Sequence, residues 1–186
     1  MKKLFIYGGM LLAVLTAGFS SAKAQDDATT TTVAATVPEV SMIGVAGSAV
    51  SLTFATPSSA GEGFANVTST DASLVYTSVV GADVTNQITA SLESELPSGL
   101  NLKVEAGVDA GNGDGTQGTA TTGGLDLSTT SSVLVSAIGS AYTGTTSDDG
   151  RPLTYTLSVN DGEFENLVAD SYSINVVYTI SAETIE

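Results

Sequence analysis

The sequence predicts an all-β protein: a single antiparallel β-sandwich of about seven to nine strands, following a cleaved export signal. Three observations carry that prediction. Apolar and polar residues alternate with period two in segment after segment. Clusters of Gly, Pro, Asn, Asp and Ser separate those segments at short intervals. No stretch of about a dozen residues after the signal sustains the i, i+3, i+4, i+7 apolar spacing of a helix, and no repeat of fixed length suggests a solenoid.

Residues 1–24 read as the signal. Lys2 and Lys3 form a basic start, residues 4–19 are mostly apolar, and Ala22-Lys23-Ala24 offers small residues where a signal peptidase reads. The apolar run is shorter than the roughly 20 residues of a membrane-spanning helix, which favours cleavage after Ala24 over anchoring. The mature chain is therefore expected to be secreted or surface-held, with no membrane insertion. Residues 25–38 form an extended arm in which Val33, Ala35 and Val37 alternate, and Pro38 punctuates its end. Residues 39–186 form the sandwich domain.

Within that domain, Val50, Leu52 and Phe54 share one face of a first strand, and residues 57–63 turn. Residues 74–80 give a second strand. Ile88, Ala90 and Leu92 alternate with polar neighbours, as do Leu100, Leu102, Val104 and Ala106. Pro97-Ser98-Gly99 between them predicts a hairpin, because Pro presets φ and Gly accepts a positive one. Residues 107–124 hold seven glycines and read as a long loop. Short strands follow at Leu125 and Leu127 and over 133–138, with a polar loop over 143–151. Leu153, Tyr155, Leu157 and Val159 form a strongly alternating strand that ends at Asn160-Asp161-Gly162. The clearest alternation is the last: Tyr172, Ile174, Val176, Tyr178 and Ile180 on one face.

The inventory of reactive groups is short. The chain has no histidine and no cysteine. This excludes histidine-based nucleophilic triads and zinc sites built on Cys or His. It also excludes a disulfide, despite the oxidising compartment. A non-enzyme is expected. Glu93 and Glu95 point the same way on a strand, but with Ser91 on their face they read as solvated rather than as a glycosidase pair. All 20 acidic residues follow the signal, against two basic ones, Lys103 and Arg151. So acidic a surface repels nucleic acid and anionic membranes, leaving neither as an expected partner.

Calcium is the one ion the sequence offers. Asp109, Asn112 and Asp114 place oxygen ligands in the glycine-rich loop, without matching an EF-hand; solvated turn residues are the simpler reading. No cofactor is otherwise expected. Lys103, with Asn101 and Glu105 on its face, reads as an exposed lysine rather than a cross-linking one. Asn66-Val67-Thr68 matches a glycosylation sequon, a pattern short enough to recur by chance.

The strand at 153–157, followed by the alternating run 172–180, resembles the close of secreted pilin-like β-sandwich subunits. The nearest are chaperone–usher fimbrial subunits and spore-coat-U-type domains. The near-terminal tyrosine of those families corresponds to Tyr178. The resemblance implies an Ig-like, incomplete sandwich filled by an N-terminal extension from the next subunit. Here Val33, Ala35 and Val37 would be the inserted side chains, and Tyr172, Ile174, Val176, Tyr178 and Ile180 would line the receiving strand. The expected function is a structural subunit of a fimbria-like or matrix filament that self-assembles or joins other surface subunits by β-strand addition. The alternative is a stand-alone extracellular module binding a glycan or calcium through the loops 107–124 and 143–151.

Overall fold

The computed structural model describes residues 29–183. The expected signal, the first residues of the expected arm and residues 184–186 lie outside the described residues. The chain divides into two units, Met1–Thr36 and Val37–Glu186. In the first, residues 29–36 form no strand and are exposed. The second carries nine strands, all paired antiparallel, with one 3-10 turn at Phe164–Asn166 and no α-helix among the described residues.

The strands are β1 (Val40–Gly47), β2 (Val67–Val79), β3 (Asn86–Leu92), β4 (Leu100–Ala106), β5 (Asp114–Ala120), β6 (Leu125–Asp126), β7 (Ser132–Tyr142), β8 (Arg151–Val159) and β9 (Val176–Ala182). Their ladder runs β6-β4-β8-β2-β7-β3-β9, with β1 beside β2 and β5 beside β7. β2 joins the two halves. Along one edge it pairs with β8, from Val67↔Leu157 to Leu74↔Arg151, and then with β7 at Thr77↔Tyr142 and Ser78↔Ala141. β1 occupies its other edge, from Val40↔Val79 to Gly47↔Ala72.

Strand alternation decides what is buried. Ala72, Leu74 and Tyr76 of β2 point inward with Ile88, Ala90 and Leu92 of β3, while their neighbours in sequence are more exposed, except Ser73, which is buried with its hydroxyl donated to the Ser147 carbonyl at 2.6 Å. The inward rows of β4, β7 and β8 join them in one core that includes Val104, Leu134, Ile138, Leu153 and Leu157. β7 carries two consecutive buried residues, Leu134 and Val135, because its register against β3 slips twice. At the first slip Ala137 takes a positive φ of 55°, and its N–H is received by the Glu183 carboxylate at 2.9 Å.

Four expectations need correcting. The pair around Pro97-Ser98-Gly99 is not a hairpin: β3 ladders with β7 and β9, β4 with β6 and β8. The turn instead carries the chain from one half of the ladder to the other. Residues 107–124 are not one loop, since 114–120 form β5 against β7. Its glycines permit a close approach: a Cβ on Gly115 would strike the Ser140 carbonyl oxygen, and one on Gly118 that of Ser136. Arg151 is not in a polar loop but is the buried first residue of β8. Finally, Val50, Leu52 and Phe54 are half-buried and alternate with exposed Ser51 and Thr53 as expected, yet they join no ladder.

Candidate functional site

Two strands leave one edge unpaired in a way that exposes core-facing side chains. β1 ladders only with β2, and β9 only with β3. The start of β1 and the end of β9 meet, because Asn86, opposite Ala182, donates its side-chain amide to the Ser41 hydroxyl at 2.9 Å. The two strands then run side by side, their Cα atoms approaching within 8 Å but without laddering. Val45 shows the consequence. It sits opposite Leu74, on the inward face, yet is 51% exposed.

Past Gly47 the amide of Ser48 still reaches the Asp71 carbonyl, at 3.0 Å. From 49 to 57 no backbone–backbone hydrogen bond is made among the described residues. This stretch packs Val50, Leu52 and Phe54 on the core while its peptide groups remain open. The chain before β9 behaves similarly. Residues 168–174 make no ladder, although Ile174 packs on the core. Extended chain with unmet N–H and C=O groups is a template for another strand.

The residues expected to serve assembly divide accordingly. Val33 and Val37 are 83% and 78% exposed, and Ala35 is exposed between them. Ile174, Val176, Tyr178 and Ile180 pack partly on the core. Tyr172 stands apart. It precedes β9, is largely exposed, and donates its hydroxyl to the Val168 carbonyl at 3.0 Å. Of the five residues on the predicted face, Tyr172 and Ile174 thus precede the ladder.

Tyr178 reaches across the core to Tyr155 on β8, hydroxyl to hydroxyl at 2.5 Å. Burial pushes both phenols above the ordinary tyrosine range; for Tyr178 the neighbouring Tyr155 adds to the effect. A raised folded-state value means that the folded chain holds protons which the unfolded chain releases. The resulting stabilisation is complete below about pH 10 and is lost as pH climbs above it. Urea midpoints should therefore hold up to about pH 10, the free-phenol value, and fall increasingly steeply above it. Tyr178→Phe should flatten that decline.

The two candidate aspartates accept local backbone amides, and Asn112 reaches the neighbouring loop. Asp109 accepts the Gly111 amide at 2.8 Å, and Asp114 accepts that of Gly115 at 2.7 Å. Asn112 donates to the Asp148 carbonyl at 3.1 Å. The second Asp109 oxygen is buried with no partner. Among the described residues no group of three or more acidic side chains lies close enough to hold a metal ion. Backbone amides of Thr146 and Thr145 hold the Asp149 carboxyl below its usual range and tie the loop that precedes β8. Glu93 accepts the Asn175 side-chain amide at 2.6 Å, linking the chain ahead of β9 to the end of β3.

Sequence reasoning missed Arg151. It is 5% exposed, and its guanidinium donates to four neutral oxygens: the Tyr76 hydroxyl and the carbonyls of Gly107, Gln117 and Gly118, at 2.7–3.0 Å. It thereby fastens β5 and the turn after β4 to the start of β8. The one available clue was its rarity, since after residue 24 only Lys103 shares its charge.

Comparison of the chain with protein-family models, curated proteins and solved structures yields no match.

Proposed function

We propose that this is a secreted structural or surface protein, a subunit of a fimbria-like or matrix filament that assembles by β-strand addition, and that its strands close as an incomplete β-sandwich. The observation that carries the reading is the open main chain of 49–57, whose side chains already contribute to the core. An incoming strand would gain ladder hydrogen bonds there and cover half-exposed apolar side chains such as Val45. The arm supplies a candidate donor of the right pattern: exposed, extended in composition, with Val33, Ala35 and Val37 alternating. Main-chain bonds would give affinity, and the alternate side chains register.

The reading is non-catalytic, with no nucleic-acid partner and no membrane insertion of the mature chain. It is supported by the absence of histidine and cysteine and by the strongly acidic balance. Electron microscopy tests it. Purified mature protein should form filaments, and the double variant Val33→Asp/Val37→Asp should remain monomeric with an unchanged unfolding transition. Wild-type protein that stays monomeric at high concentration contradicts it.

A second reading, calcium binding between the loops at 107–113 and 143–150, is favoured by one observation: the orphaned Asp109 oxygen in loops already joined by the Ala110–Gly150 and Asn112–Asp148 hydrogen bonds. Calorimetric titration with calcium discriminates, since strand addition needs no ion.

A further inference from the structure

Three phenylalanines from distant parts of the chain stack at the surface. The rings of Phe54 and Phe64 lie 5.1 Å apart between centroids, those of Phe64 and Phe164 5.7 Å, both with an interplanar angle of 26°. The inner end of the stack, Phe54, packs on the core, while the outer ring, Phe164, is 53% exposed. Val168 follows four residues later at 69% exposed, and Tyr172 bonds to its carbonyl. The three rings form an apolar surface continuous with the core, unlike the scattered exposed residues that need no explanation.

The rim has one sign. Glu62 lies two residues before Phe64, and Glu163 and Glu165 flank Phe164. Asp161 and Asp170 lie within three residues of the same rings and Val168. Among the described residues no base answers them. Arg151 is buried in its carbonyl cage, and Lys103 lies on β4, between Asp126 on one neighbouring strand and Thr156 on the other. A second copy of this face would bring carboxylates against carboxylates, and an anionic lipid surface would be repelled as well.

We propose that the Phe64–Phe164–Val168 surface is a docking site for a partner protein segment that presents apolar side chains between basic ones. The apolar side chains cover the ring stack, and the basic ones meet the rim. The proposal does not rest on strand addition: Phe54 and Val168 lie in stretches that strand addition would also use, but docking depends on the exposed ring of Phe164 and strand addition on main-chain groups, so Phe164→Ser tests the first without the second.

The test titrates the full mature chain with a short peptide of alternating leucine and lysine. Two controls accompany it, one with serine for leucine and one with glutamate for lysine, each followed by calorimetry. The leucine–lysine peptide should bind, and both controls should bind far more weakly. Phe164→Ser should weaken binding by about tenfold or more, as expected for a central aromatic contact. Glu165→Gln/Asp170→Asn should weaken it severalfold and reduce its sensitivity to salt. Both variants change exposed side chains, and an unchanged unfolding transition confirms that they fold. Equal binding of either control, or unaltered binding by Phe164→Ser, overturns the proposal. So does a self-associated form in sedimentation, or binding to lipid vesicles, that Phe164→Ser abolishes.

Discussion

Replacing Arg151 by methionine is expected to cost about 3–5 kcal/mol of folding stability, because it strips donors from several part-buried carbonyls at roughly 1–3 kcal/mol for each acceptor left unmet. Methionine fills much of the space but donates nothing. The carbonyls of Gly107, Gln117 and Gly118 lose their guanidinium donors, while that of Gln117 keeps the Tyr76 hydroxyl. Buried acceptors left unmet lose their water without replacement. For a domain of this size the midpoint of thermal unfolding should fall by roughly 6–20 °C. Arg151→Lys should recover only part of the loss, because a compact ammonium with three donors cannot span four oxygens set around a planar fork. Lys103→Met, on a half-exposed strand face, should change stability by less than about 0.5 kcal/mol. Chemical denaturation of the three variants checks the order. Equal effects at 103 and 151 would mean that the cage around Arg151 carries no net energy.

Arg151 also shows where local sequence stops being informative. Next to Asp148-Asp149-Gly150 it reads as one more polar loop residue. Its burial depends on β5, Gly107 and Tyr76 converging on it from three other parts of the chain. Strand alternation was legible because burial on one face of a sheet imposes it locally. The rows of β3, β4 and β8, and the inward series 50, 52, 54, follow directly from it.

Pairing was less legible. Pro97-Ser98-Gly99 has hairpin chemistry, yet β3 and β4 belong to different neighbourhoods, because a turn fixes direction only for a few residues while the ladder is set by the whole core. Seven glycines over 107–124 suggested a loop. In β5 their missing side chains instead let one backbone lie close against another, which composition alone does not separate from flexibility. The arm's exposed alternation, and the partial burial of Ile174, Val176, Tyr178 and Ile180, were readable from period two. The open stretch 49–57 was not. It has a strand's sequence, and only the absence of a laddered neighbour among the described residues distinguishes it.

That stretch also predicts the largest change on assembly. Amides that make no hydrogen bond exchange with solvent nearly as fast as in an unfolded chain, even in a stable domain. Those of Leu74, Ile88 and Val104, on strands paired along both edges, should instead exchange only at rates set by global opening. In the monomer, residues 49–57 should therefore exchange quickly despite the half-burial of Val50, Leu52 and Phe54. An added strand would engage alternate amides along this segment, since successive N–H groups of a strand point to opposite edges. Protection at those positions should rise by about 100-fold or more, equivalent to closing each opening by about 3 kcal/mol.

The direct measurement is hydrogen exchange of the mature protein, followed residue by residue, as monomer and after assembly. Strand addition predicts new protection concentrated in 49–57 or 168–174, together with residues 29–38, and absent from the Val33→Asp/Val37→Asp variant. Assembled protein in which all these segments exchange as fast as in the monomer would contradict it.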